Sequence, residues 1–202
     1  MKFGFIGAGV VAQTIARHVL PFGHEVLLSN SRGPETLADV VCKLGQGASA
    51  GTPQQAADQD VVVLSVDWDN VPRALASIPD WSGRILIDAT NRIDRSNPSD
   101  LGDLSGPISS EIVADQAVGA KVVKAFNTIP MRWIDDTSPD KARTVLFISG
   151  DDAEAKQALG KVLEQVGFAA VDLGALAIGG RLQQVGGPLA ALNLTLVDRF
   201  VL

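Results

Sequence analysis

A chain of 202 residues with 46% hydrophobic and 20% charged side chains is long enough for one generous domain, and it buries roughly 70% of its unfolded surface without help from a metal or disulfide. Its formal charge of -6 argues against nucleic acid or an anionic membrane as a partner, since both demand basic surface. One cysteine, Cys42, excludes an intrachain disulfide and fits a reducing compartment.

Taken in chain order, short apolar runs alternate with segments of helical period, the pattern of a parallel sheet covered by helices. KFGFIG reads as the first strand and VVAQTIARHVLPFG as the first helix. Gly4, Gly7 and Gly9 interrupt this apolar start, and Gln13, Arg17 and His18 give the helix a polar face, unlike a signal peptide. No apolar span of about 18 residues follows anywhere, so no transmembrane helix is expected and the location is read as cytoplasmic. HEVLLSN is the second strand, and ETLADVVCKLG the second helix, in which Cys42 reads as a small buried hydrophobe. GASAGT holds a short edge strand, and PQQAADQ a short helix entered through Pro53.

DVVVLSV has the β-branched run of a strand buried on both faces. DNVPRALASI is then a helix, GRILIDAT a strand, SSEIVADQAV a helix and AKVVKAFN a sixth strand. ARTVLFISG and FAAVDLG are two further strands around the helix DDAEAKQALGKVLEQVG, with Asp151 and Asp152 at its positive end. The tail GPLAALNLTLVDRFVL reads as a helix apolar on nearly every side, hence buried or packed on a partner subunit. The expected fold is α/β, a Rossmann-type doubly wound, mostly parallel sheet with a helical C-terminal portion. Residues 1–202 form one domain in this reading, and a small C-terminal substrate or dimerisation portion from about Asn127 is the alternative.

Gly7-Ala8-Gly9-Val10-Val11-Ala12 is a G-x-G-x-x-A sequence between the first strand and the first helix. Gly7 permits the tight turn, Gly9 lets the backbone approach a pyrophosphate, and Ala12 lets helix and strand pack closely. The helix N-terminus offers amide donors to the phosphates. About twenty residues after Gly9, where an acid would bind the ribose hydroxyl of NAD and repel the extra phosphate of NADP, the chain carries Asn30, Ser31 and Arg32. Asn30 removes the repulsion, Ser31 offers a hydroxyl, and Arg32 a planar guanidinium suited to a phosphate. NADP(H) is therefore the expected cofactor.

Ligands in such folds lie across the carboxyl ends of the strands, which directs attention to Ser65–Asp69, Ala89–Arg92 and Phe126–Met131. Val66 and Trp68 are candidates to line the nicotinamide ribose, and Thr90 and Asn91 to supply polar contacts. His18 and His24 belong to the first helix and the start of the second strand, away from these ends, and Lys121 and Lys124 are read at the beginning and middle of a strand rather than at its mouth. With no strong acid–base pair in view, no catalytic residue is assigned, and the acceptor is read as a conjugated ring that needs positioning more than proton transfer. The acidic pairs Asp135–Asp136 and Asp151–Asp152 are read as turns and helix caps, so no metal site is expected.

The segments GFIGAGVVAQTIA, SNSRGPETL, LIDATN, VVKAFNTI, FISGDDAEAK and GFAAVDLGALAIGGRLQQVGGPLA, in that order, resemble the NADPH-dependent coenzyme F420 reductases over nearly the whole chain. That resemblance implies a Rossmann domain moving hydride between NADP(H) and the deazaflavin coenzyme F420, with related domains passing electrons through flavin to ferric iron. It implies pyrophosphate contacts from Gly7, Gly9, Val10 and Val11, and 2′-phosphate contacts from Ser31 and Arg32. Val66, Asn91 and Ala125 to Asn127 would lie near the nicotinamide; Ser65, at its strand end, is a further cofactor-binding candidate. Thr128, Ile129, Pro130 and Met131, with the loop Gly186, Gly187, Pro188, would border a small-molecule redox acceptor. A homodimer is implied as well. Two other readings stay open: a non-catalytic NADPH-binding sensor, and an imine or β-hydroxyacid reductase, whose late-helix proton donor the tail does not offer before Asp198.

Overall fold

The computed structural model describes residues 1–93, 106–134 and 142–197. Among the described residues nine strands lie in one sheet: β1 (Lys2–Ile6), β2 (Glu25–Ser29), β3 (Ala48–Ala50), β4 (Val61–Leu64), β5 (Ile85–Asp88), β6 (Lys121–Lys124), β7 (Arg143–Gly150), β8 (Ala169–Asp172) and β9 (Thr195–Leu196). The order is β3-β2-β1-β4-β5-β6-β7-β8, with β9 paired to β7. From β3 to β6 every pairing is parallel, so the sheet is a mostly parallel, doubly wound α/β structure.

Helices cover both faces, and the strands alternate between them, as a period of two requires. Phe3, Phe5, Val61 and Val63 pack beneath α1 (Val10–Val19), α2 (Ala38–Leu44) and α6 (Ala153–Gln165). Ile6, Val62, Leu64 and Leu86 pack under α3 (Pro53–Ala57), α4 (Val71–Ala76) and α5 (Ser109–Gln116). Local signals fix the helix ends. Thr52 and Gln55 form a reciprocal capping box at α3, and Asp152 caps α6 by accepting from the Ala155 amide at 2.8 Å. Asp151 accepts from the Leu176 amide at 3.0 Å. This acidic pair therefore has cap and turn roles, while Asp135 and Asp136 lie outside the described residues.

The direction reverses at β7, which meets β6 antiparallel through two pairs only, Val123 with Gly150 and Lys124 with Ser149. Arg143–Ile148, the rest of β7, therefore continue past the carboxyl edge of the parallel strands, by roughly 20 Å at 3.4 Å per residue. One side of this overhang, Leu146 and Ile148, joins the cluster that holds Phe126, Ile129, Met131 and Ile134. Val145 and Phe147, on the other side, are covered by Leu189 and Leu196.

Two expectations are corrected here. The tail is not a helix over its described part: residues 185–191 form turns, and Thr195–Leu196 form β9 on Arg143 and Thr144. Leu192, Leu194 and Leu196 alternate with polar residues, so this stretch has a strand period that an all-apolar impression hides. The helical content of this region is a short π-helical segment, Leu176–Gly180, running on to Gln183. Cys42 is exposed rather than buried. The inward face of α2 and the turn before it is Leu37, Val40 and Leu44, which leaves Cys42 on the outer side. Among the described residues no helix is long and apolar enough to cross a membrane.

Candidate functional site

The turn after β1 is built for close approach. Gly7 has φ 105°, and a Cβ there would lie 2.3 Å from the Ser65 carbonyl oxygen, so only glycine fits. Gly9 differs: a Cβ there would meet no protein atom within 4 Å, because the residue fronts two adjoining cavities. Gly9 caps α1 without any side-chain hydrogen bond, and with Val10 and Val11 it lines the cavity at the head of that helix. Uncapped first-turn amides, a positive helix end and open space together fit a pyrophosphate.

The first cavity, about 540 Å³, runs from Gly7 and Gly9 over the end of β2 (Ser29, Asn30, Ser31) to Asn70, Arg73, Ala74 and Ser77 at α4. The second, about 420 Å³, runs from Gly9, Val10 and Val11 to Trp68, Ala89, Thr90 and Asn91. Ser65, Val66 and Asp67 line both. The two form a trough across the carboxyl ends of β2, β1, β4 and β5, where ligands of open α/β sheets bind. Each volume falls in the ordinary range for small-molecule sites.

At the β2 end the loop shapes itself. Asn30 Oδ1 accepts from the Arg32 amide at 2.9 Å, and its Nδ2 donates to Thr36 Oγ1 at 2.9 Å. Asn30 thus holds the turn, while Ser31 stands at the cavity wall and Arg32 is exposed beside it. Arg32 does not line the trough. Its chain position places it next to Ser31, at the rim of the β2 end.

At the β5 end the polar groups are locked. Asn91 Nδ2 donates to the Asn127 carbonyl at 3.1 Å, and Asn127 Nδ2 donates to Asn91 Oδ1 at 3.2 Å and to the Gln183 carbonyl at 2.8 Å. Between Ala125 and Asn127, Phe126 holds a left-handed φ of 63°, a conformation costing about 1 kcal/mol for a non-glycine residue. The ring of Phe126 is buried in the core, which maintains it. Ala125 and Asn127 back the trough from behind Asn91 and do not line it.

Thr128, Ile129, Pro130 and Met131 follow directly and are mostly buried. The loop bearing Gly187 and Pro188 is brought to them by a hydrogen bond from the Ala191 amide to the Thr128 carbonyl, 2.7 Å. These two segments meet each other, but neither lines the two cavities. His18 and His24 pack edge-on against Phe168 and Phe3 at centroid distances of 5.0 and 5.4 Å, away from the trough.

Lys124 requires a correction. It is the last residue of β6, in register with Asp88 at the end of β5, and not in the middle of its strand. The two form a fully buried ion pair at 3.0 Å. Burial pushes the Asp88 carboxyl up, but the Lys124 charge and hydrogen bonds from Ser110 and Thr90 outweigh it and hold the group below its ordinary value. Arg73 was also missed. Asn70, Arg73, Ala74 and Ser77 recur at i, i+3, i+4 and i+7, a polar helix face opposite the buried Val71, Leu75 and Ile78.

Residues 2–92 match the family described as NADP oxidoreductase, coenzyme F420-dependent. Over nearly its full length the chain is similar to a hypothetical protein from Sinorhizobium meliloti, at 38% identity and a TM-score of 0.89, covering 96% of this chain and 95% of that one. It is also similar to a protein of Arthrobacter sp. FB24 provisionally described as an F420-dependent NADP reductase, at 26% identity and a TM-score of 0.73, covering 91% and 90%. Metalloreductase STEAP3 of Rattus norvegicus is 29% identical over 178 residues, which are 87% of this chain; the chain spans about a third, 34%, of that protein's length. The trough and the glycine turn at its centre lie largely within residues 2–92, which match the coenzyme F420-dependent NADP oxidoreductase family, and the chain as a whole is similar to NADP-dependent oxidoreductases.

Proposed function

We propose that the protein transfers hydride between NADP(H) and a flavin-like acceptor, either the deazaflavin coenzyme F420 or a flavin. The observation that carries this reading is the lining of the cavity at β4 and β5. Hydroxyls and an amide (Ser65, Thr90, Asn91) alternate there with apolar side chains, and among the described lining residues Asp67 is the single titratable group. Reducing a carbonyl or imine calls for a proton delivered in step with hydride. A conjugated ring spreads the incoming charge and takes its proton from water, so orientation and a dry wall suffice.

In this reading Gly7, Gly9, Val10 and Val11 hold the pyrophosphate, and Ser31 and Arg32 the 2′-phosphate. Val66 and Asn91 flank the nicotinamide, backed by Ala125 and Asn127. When bound, NADPH supplies the hydride, and the acceptor gains that hydride and one solvent proton. Thr128 to Met131 and the Gly187–Pro188 loop would border the acceptor. The name of the rat relative, a metalloreductase, supports including a metal ion as a terminal electron sink. The reading also makes the protein a cytoplasmic homodimer, supported by the exposed Leu192, Leu194 and Val197; sedimentation equilibrium measures the oligomer.

The test is a turnover screen that follows NADPH oxidation with F420, FMN, FAD and ferric chelates. Oxidation by F420 or by a flavin is the expected result. Tight NADPH binding with no turnover on any acceptor would establish a sensor instead.

A further inference from the structure

Asp88 and Lys124 are fully buried, and neither lines the trough. Taking two charges out of water has a desolvation cost that apolar residues of similar volume would avoid. What the pair accomplishes is local. Asp88 Oδ1 accepts the Thr90 amide at 2.9 Å and the Thr90 hydroxyl at 2.6 Å. Lys124 Nζ donates to the Thr90 carbonyl at 3.3 Å. Every polar group of Thr90 is thereby bound to one of two charges.

The pair is completed without surplus. Asp88 Oδ2 accepts from Lys124 at 3.0 Å and from the Ser110 hydroxyl at 2.6 Å, and the third ammonium donor goes to Ser109 Oγ at 3.2 Å. Hydrogen bonds to charged groups are shorter and stronger than neutral ones, and a low-dielectric interior strengthens them further. Thr90 and its neighbour Asn91 line the cavity at the β5 end, and Asn91 is fixed from its other side by the exchange with Asn127.

We infer that Asp88 and Lys124 are positioning residues for the nicotinamide end of the cofactor, holding the Thr90–Asn91 wall from beneath in one geometry. This rests on the cofactor assignment made above. Neither residue reaches the reacting atoms, so neither acts as acid or base. The β2 end of the trough stands on other strands, and its ligand contacts are independent of the pair.

Calorimetric titration of the full chain with NADPH and with 2′,5′-ADP, which lacks the nicotinamide, separates the two ends. Lys124→Met should weaken NADPH about tenfold and leave 2′,5′-ADP within about twofold of the parent. Thr90→Val should show the same selective loss, and Thr90→Ser, which keeps the hydroxyl, should bind NADPH like the parent. Equal weakening of both ligands, or no change in either, overturns the inference. If Lys124→Met fails to fold, the Thr90 pair decides, and Thr90→Val with parental NADPH affinity overturns it. A parent protein that binds neither ligand overturns the cofactor assignment along with this inference, whereas equal weakening overturns this one alone.

Discussion

At the β2 end of the trough the polar groups stand on an exposed turn, shaped by Asn30 and carrying Ser31 and Arg32 at its rim. At the β5 end they stand on a buried ion pair and a reciprocal amide exchange. An exposed guanidinium can select an anion, but solvent and salt dilute what it contributes, and it costs the fold little to change. A buried pair contributes nothing to selection from solution, yet removing one partner disturbs the fold itself. In the proposed function, selectivity and geometry fall to opposite ends of one site, so they are separable by mutation.

The largest effect expected from that contrast is on stability. Asp88→Ala leaves the Lys124 ammonium buried without its partner and should cost about 3–5 kcal/mol in urea unfolding, whereas Arg32→Ala should change the midpoint little. Arg32→Ala should instead reduce NADPH affinity by about 1.5–3 kcal/mol and leave NADH nearly unchanged, by fluorescence titration. In the parent, NADPH should bind at least roughly tenfold more tightly than NADH for the same reason; equal affinities would remove the role given to the β2 turn.

Acid should act at the β5 end. The Asp88 carboxyl lies below its ordinary value in the folded protein, so its contribution is complete above an unfolded value of about 4 and is lost as pH falls through the folded one. Unfolding free energy should therefore decline more steeply below about pH 4 in the parent than in Asp88→Asn. The smallest effect belongs to Arg73→Gln, which should weaken NADPH and NADH alike by about twofold to fivefold, since the side chain lines the β2-end cavity and exposed polar contacts carry about 0.5–1 kcal/mol. A loss confined to NADPH would move Arg73 into the phosphate-selecting group beside Arg32.

Much of this architecture is legible in the residues because strands buried on both faces read as unbroken apolar runs. Val61–Leu64 is such a strand, completely buried, and the glycine turn follows its strand at the expected place. The β2 turn was equally readable, since its chemistry lies in consecutive residues. The β5 end was not. Asp88 and Lys124 are 36 residues apart, and each looks like an isolated charge at the end of an apolar run until the topology sets β5 beside β6 in register. The tail misled for another reason: Leu189 and Leu196 are apolar to cover Val145 and Phe147, and extended chain serves that purpose as well as a helix. Cys42 shows the limit of composition, since its neighbours Val40 and Leu44 face the core while it does not.

The antiparallel strand β7 has a mechanical consequence. It is rooted in the parallel sheet by two residue pairs and rises past the rim by roughly 20 Å. A long arm on a narrow root is a lever: each degree of tilt at Ser149–Gly150 displaces the far tip, near Arg143, by about a third of an ångström, by simple arc length over that reach. Gln183 stiffens the root, donating to the Phe147 carbonyl at 3.1 Å while accepting from the Ser149 hydroxyl at 2.6 Å. Its side chain therefore joins the root of β7 to Asn127, within the Phe126–Ile134 segment, by a donor contact to Asn127 Oδ1 at 3.4 Å.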